Sequence, residues 1–217
     1  MDEEGIVTIT VFGSINMDLV ARSGRLPRAG ETLPGASFVT VPGGKGANQA
    51  VASAKLGVPT RMIGKVGGDV FSQALLDSLR QNGVDTRGVA VEQGQSSGVA
   101  LIMVDGAGQN MIVVVPGANG DVGEEDLLHL EEALDDTRVV LLQLEVPVPA
   151  VVAAARLAHQ RGKIVILDPA PALDLPDEIY GYADWITPNE TEASSLVGFP
   201  IHTVDEAQRA AAVLLGR

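Results

Sequence analysis

Short runs of Ile, Val and Leu alternate with stretches of helical periodicity along most of this chain. That alternation limits the folds open to it. The apolar runs lie at 6–12, 139–144 and 164–167, with a weaker one at 185–187. Each is rich in β-branched residues and bounded by turn formers, as strands buried on both faces are. Between them, 48–56 is Ala-rich and stops at Gly57. The stretch 69–82 puts Phe71, Leu75 and Leu79 on one helical face and stops at Gly83. The stretch 149–161 is mostly Ala, Val and Leu and stops at Gly162. A glycine just past the last periodic residue is a sound helix stop. Strands alternating with helices predict a doubly wound (Rossmann-like) α/β sheet, a three-layer sandwich with helices on both faces.

Three β-rich stretches break that rhythm, at 37–41, 99–104 and 111–115. The last two have no helix between them. Their link, Asp105-Gly106-Ala107-Gly108-Gln109-Asn110, reads as a hairpin loop. With 19–41 they predict a small separate sheet, its strands within about 19–41 and 99–115, serving as a lid, an oligomer contact or both.

Composition narrows the partners. The 217 residues are 46% hydrophobic and only 3% aromatic, enough for a core built from Ala, Val, Leu and Ile. The formal net charge is −13, without a Lys/Arg cluster, which argues against nucleic acid or an anionic membrane as partner. The chain has no Cys, so thiolate chemistry and disulfides are excluded. Its start, Met1-Asp2-Glu3-Glu4, lacks the layout of a signal peptide. No apolar run reaches the length of about 18 residues that a membrane span needs. A cytoplasmic protein is expected.

Ligands of open α/β sheets bind beyond the carboxyl ends of the strands. Those ends carry Gly13-Ser14-Ile15-Asn16-Met17-Asp18, then Glu145, then Asp168-Pro169, then Pro188-Asn189-Glu190-Thr191-Glu192. Asp and Asn are ordinary turn residues, so any one alone says little. Asn189-x-x-Glu192 also spells a capping box, as do Asp121-x-x-Glu124 and Thr203-x-x-Glu206. Carboxylates on every strand end of one rim are the less ordinary feature. The densest signal is Pro42-Gly43-Gly44-Lys45-Gly46-Ala47-Asn48-Gln49-Ala50, where glycines lead into an Ala-rich helix that Asn48 would cap or enter. Lys45 is followed by Gly46, so the run is not a Walker phosphate loop. His129, His159 and His202 have no ligand spacing and read as surface residues.

Four segments in this order and spacing resemble the ribokinase/PfkB carbohydrate kinase family: 13–18, 43–50, Gly64-Lys65-Val66-Gly67-Gly68-Asp69 and Thr187–Glu192. Gly117-Ala118-Asn119 and Asp168-Pro169-Ala170-Pro171-Ala172 are similar to it as well. The resemblance implies a ribokinase-like fold with a β-sheet lid, of which residues 1–217 would be the N-terminal two-thirds. It implies ATP-dependent phosphorylation of ribose at its primary (5-) hydroxyl, giving ribose 5-phosphate. Asn16, Met17, Asp18, Gly44, Lys45, Gly46, Ala47, Asn48 and Glu145 would form the sugar site. Asn189 would lie on the nucleotide side, and Glu192 would help place Mg²⁺ through water. A monovalent cation (K⁺) and a homodimer through the lid are further implications.

The family's Asp-Thr-x-Gly-Ala-Gly-Asp segment, whose last Asp serves as base, is not present. The base is therefore expected beyond Arg217. Two alternatives stand beside the ribose kinase: a non-catalytic sugar-binding fragment or pseudo-kinase, and a family kinase of another sugar or nucleoside.

Overall fold

The computed structural model describes residues 8–217. Positions 6 and 7 of the expected first strand, and the acidic residues 1–4, lie outside the described residues. In chain order the strands are β1 (Ile9–Phe12), β2 (Asn16–Arg22), β3 (Ser37–Gly43), β4 (Thr60–Gly67), β5 (Val84–Glu92), β6 (Gly98–Val104), β7 (Asn110–Val115), β8 (Val139–Leu142), β9 (Ile164–Leu167) and β10 (Trp185–Ile186). The helices are α1 (Lys45–Lys55), α2 (Ser72–Gln81), α3 (Glu124–Ala133), α4 (Val148–Gln160), α5 (Glu190–Val197) and α6 (Val204–Leu215).

Six strands make a parallel sheet in the order β10-β9-β8-β1-β4-β5. Neighbouring side chains on a strand point to opposite faces, and the core divides accordingly. Val11 and Met62 pack with Leu75 and Leu79 in the α1/α2 layer. Phe12, Ile63, Leu142 and Leu167 pack with Leu130 and Val151 in the α3/α4 layer. These core residues are almost fully buried, and burial of each large apolar side chain contributes about 1.5–3 kcal/mol. The expected three-layer sandwich is the observed one.

Two of its strands are not apparent in the sequence pattern. β4 and β5 carry Arg61, Lys65, Asp85 and Arg87, which interrupt any apolar run. Their charges meet across the pair: Arg61 with Asp85 at 3.2 Å, and Lys65 with Glu92 at 3.1 Å. Other bounds shift. The strand expected over 139–144 stops at Leu142. The helix expected from 48 begins at Lys45, so Asn48 lies in its first turn and caps nothing. Asp121 does not cap α3. It ends a short 3-10 turn, and Asp126 accepts from the Gly123 N–H at 2.8 Å. The boxes at Asn189/Glu192 and Thr203/Glu206 are both formed.

The second sheet has the order β3-β2-β6-β7, with β2 and β6 parallel and antiparallel partners on either side. The hairpin loop at 105–110 is as expected, with the Asp105 carboxylate accepting from the Ala107 and Gln109 N–H groups at 2.9 Å each. One difference matters for the site. The first strand of this sheet begins at Asn16 rather than at 19, so Asn16, Met17 and Asp18 belong to the strand. Only Gly13-Ser14-Ile15 separates the two sheets. Among the described residues no helix is long and apolar enough to cross a membrane.

Candidate functional site

The parallel sheet changes direction at β1. The chain adds β4 and β5 on one side, then β8, β9 and β10 on the other. The carboxyl ends of β1 and β8 flank that switch point, where open α/β sheets leave a crevice. From β1 come Ser14, Asn16 and Asp18, and from β8 comes Glu145.

Helix α1 points its N-terminus into this crevice. Its N-cap, Gly44, has φ 92° and supplies no side chain. A Cβ there would stand 2.7 Å from the Asn16 nitrogen and 3.0 Å from the Ser14 oxygen, so the turn needs glycine both for its dihedral and for its closeness to β2. The first-turn N–H groups find distant partners instead. Lys45 N–H donates to Glu145 Oε2 at 3.0 Å, Gly46 N–H to Ser14 Oγ at 3.3 Å and Ala47 N–H to the Ser14 carbonyl at 2.9 Å. Ser14 Oγ itself donates to Glu145 Oε2 at 2.7 Å. A carboxylate at the positive end of a helix is well placed. Both bonds to Glu145 use Oε2, and Glu145 Oε1 has no protein partner among the described residues.

Asn16 and Asp18 lie beside it. Asn16 is buried, and its Nδ2 lies 3.5 Å from Glu145 Oε2. Asp18 is half-buried and faces Gly43 of β3. Burial, and after it the negative charge of Glu145, push the Asp18 carboxyl above the ordinary carboxylate range. Two acceptors that repel one another across a polar crevice are relieved by a ligand that offers hydroxyl protons to both.

A second carboxylate system adjoins the first. Gln143, fully buried, donates through Nε2 to Gln49 Oε1 at 2.6 Å, and Gln49 Nε2 donates to Asp168 Oδ2 at 3.1 Å. Burial raises the Asp168 carboxyl, Lys45 opposes that, and Glu192 and Glu145 add to it, with a net upward shift. Asp168 thus feels charges on α1, on the β8 end and on α5. On α5, Asn189 and Glu192 close a reciprocal cap. Glu192 N–H donates to Asn189 Oδ1, and Asn189 N–H donates to Glu192 Oε2, both at 2.9 Å. Among the described residues no group of three or more His, Cys, Asp or Glu is arranged as a metal cage.

The residues singled out in the sequence distribute as follows. Asn16, Asp18, Lys45 and Glu145 converge, with Gly44 and Gly46 as backbone around them. Met17 and Ala47 do not join them: they are 3% and 6% exposed and belong to the α1/α2 core. Asn48 is exposed on α1, on the side of Pro42 and Leu75. Three participants escaped the sequence reading: Ser14, Gln49 and Asn119. Each sits inside a motif already noticed, yet nothing in residue type marks a serine or an amide as a tie between distant segments. A hollow of about 930 Å³ lies elsewhere. It is an apolar space beside β10, α5 and α6, lined by Trp185, Ile201, Ala211 and Leu214, with Asn189 on its rim.

The chain matches the family described as pfkB family carbohydrate kinase over residues 8–216. A ribokinase of Bacillus subtilis is 46% identical over 199 residues, a span that covers 92% of this chain and 67% of that protein. A ribokinase of Schizosaccharomyces pombe is 39% identical over 198 residues, covering 88% and 62%. The solved Arabidopsis thaliana ribokinase complexed with ribose and ATP superposes with a TM-score of 0.87 at 33% identity, over 96% of this chain and 68% of that one. The chain thus spans about two-thirds of the length of each of these proteins.

Proposed function

The chain belongs to the pfkB family of carbohydrate kinases, and from that premise we propose that it carries the sugar site of an ATP-dependent kinase that phosphorylates ribose at its primary (5-) hydroxyl. The observation that supports this most is the convergence of Asn16, Asp18, the Lys45 backbone and Glu145 at the switch point of the parallel sheet. A polyol needs several donors and acceptors fixed around it, and a site built to pair hydroxyls discriminates strongly against analogues that lack them. Here Asp18 and Glu145 Oε1 accept, and Asn16 Nδ2 donates. The second sheet, whose strand β2 carries Asn16 and Asp18, would serve as the lid that excludes water from this crevice.

The nucleotide phosphates belong on the α5 side, next to Asn189. Magnesium takes one or two carboxylates and keeps several waters. Glu192 would hold it through water, and the ion would supply charge neutralisation at the phosphates. Phosphoryl transfer rests mainly on positioning and charge stabilisation, and residues 16–18 and 145 serve the positioning of the acceptor. We assign no catalytic base among the described residues.

A homodimer through the second sheet is part of the same proposal. Phe38 and Val113 on one face of the second sheet, and Val39 and Ile112 on the other, are each 50–62% exposed on β3 and β7, exposed apolar area of the kind that marks an interface.

Calorimetry tests the sugar site. Ribose is expected to bind the 217-residue chain and to lose that binding in Asp18→Ala. Equal heats from both proteins would remove the site.

A further inference from the structure

The second sheet is tied to the sugar crevice at one buried side chain. Asn119 follows β7 in a 3-10 turn, is 1% exposed, and reaches across to the link between β1 and β2. Its Oδ1 accepts the Ile15 N–H at 2.9 Å. Its Nδ2 donates to the Ile15 carbonyl at 3.1 Å and to Asn16 Oδ1 at 2.7 Å.

The order of these bonds has a consequence. An amide has one acceptor end and one donor end. The Ile15 N–H must meet an acceptor, which fixes which end of Asn119 points there. Asn119 Nδ2 then faces Asn16, and Asn16 must turn Oδ1 toward it. The Asn16 Nδ2 is left facing Glu145 and the crevice, at 3.5 Å from Oε2. The reverse orientation would set two donors against each other at Asn119 and two acceptors against each other at Glu145.

Gly98 of β6, in register with Asn16, makes room for this pair. A Cβ there would lie 2.1 Å from both Asn119 Nδ2 and Asn16 Oδ1.

We infer that Asn119 is a positioning residue that sets which end of the Asn16 carboxamide meets the sugar, so that Asn16 presents a donor between the acceptors Asp18 and Glu145. The inference rests on the sugar-site reading given above. The ligand oxygen next to Asn16 is therefore one that accepts a hydrogen bond, and a hydroxyl there donates its own proton to a neighbouring carboxylate. Because Asn119 hangs from the end of β7, the orientation is set by the second sheet.

A double-mutant cycle tests it, with ribose affinity measured by calorimetry on the 217-residue chain. Asn119→Asp keeps the acceptor for Ile15 and removes the donor for Asn16. It is expected to weaken ribose binding on the order of tenfold or more. In an Asn16→Ala background, with no carboxamide to orient, the same change is expected to alter affinity by less than about twofold. Equal losses in both backgrounds, or wild-type affinity in Asn119→Asp, would overturn the inference while Asp18→Ala still abolishes binding. No binding by the unmodified chain would instead remove the sugar reading, and this inference with it.

If Asn119→Asp does not fold, the unmodified chain decides by side-chain amide NMR. The Asn16 Nδ2 signals are expected to move on saturation with ribose, and signals that stay in place overturn the assignment.

Discussion

Ser14 Oγ donates to Glu145 Oε2 at 2.7 Å across a separation of 131 residues, and the same carboxylate oxygen accepts the first N–H of α1. Glu145 therefore joins a helix end and the turn after β1 at the crevice proposed for the sugar. Glu145→Ala leaves the Ser14 hydroxyl and the Lys45 N–H without their partner. Loss of a partly buried acceptor with two donors is expected to cost about 1–3 kcal/mol. A lowered Tm and an undetectable ribose heat are the expected readouts. Loss of binding with an unchanged Tm would show that the cap contributes nothing to the fold.

The fold was legible in the sequence where physics leaves one pattern and obscure where it leaves two. The strands at β8 and β9 are short apolar runs, and burial on both faces demands that. β4 and β5 were not legible because Arg61, Asp85, Lys65 and Glu92 neutralise one another only after the strands pair. Single-strand periodicity cannot register a charge that its neighbour cancels. The carboxylates of the site were legible because charges at the ends of buried strands need a reason. Ser14, Gln49 and Asn119 were not, since small polar residues occur in any turn and their partners are 131, 119 and 104 residues away.

Asp18 carries an energetic cost in the unliganded protein. Its folded pKa is raised by burial and by Glu145, so its contribution is favourable below its unfolded value near 3.8 and is lost as pH rises through the folded value. Asp18→Asn removes that cost at neutral pH. Thermal melts at pH 7 are expected to show a Tm at or above that of the parent chain, with ribose affinity reduced on the order of tenfold or more. A clearly lower Tm would contradict the assigned strain.

Asp69 works in the opposite sense. Burial raises its pKa, but hydrogen bonds from the Ser97 N–H and Oγ and from the Phe71 and Ser72 N–H groups outweigh that, and the net shift is downward. Its stabilisation is present above pH 3.8 and disappears as pH falls through the lower folded value. Asp69→Ala is expected to cost about 1–3 kcal/mol at pH 7. The gap in stability between it and the parent should narrow in acid, as followed by urea melts. A gap independent of pH would assign the loss to packing alone.

Lys65 is 5% exposed and lies 3.1 Å from Glu92 and 3.7 Å from Asp126, which is 1% exposed. Removing one member of a buried ion group leaves the other charge unpaired, at a cost of about 3–5 kcal/mol. Lys65→Ala is expected to fall by that amount in denaturant melts. The folded fraction is expected to bind ribose normally, because Lys65 Nζ pairs with Glu92 and Asp126. Weakened affinity in folded Lys65→Ala would place it in the site after all.

The apolar surface of β3 and β7 gives a test of assembly. Val113→Glu puts a charge on a residue that is 60% exposed, so it should leave the monomer's stability nearly unchanged. Sedimentation is expected to show a dimer for the parent chain and a monomer for this variant. A parent chain that sediments as a monomer would remove the dimer proposal.

Three residues, Gly13, Ser14 and Ile15, join β1 of the large sheet to β2 of the small one, and the side chains of Asn16 and Asp18 begin where that joint ends. A small rotation about this joint swings both groups relative to Glu145, which stays with the large sheet. Whatever grips Asn16, Asp18 and Glu145 at once therefore acts as a brace between the two sheets, added to the crossings from β3 to α1 and from β5 to β6 and to the Asn119 tie.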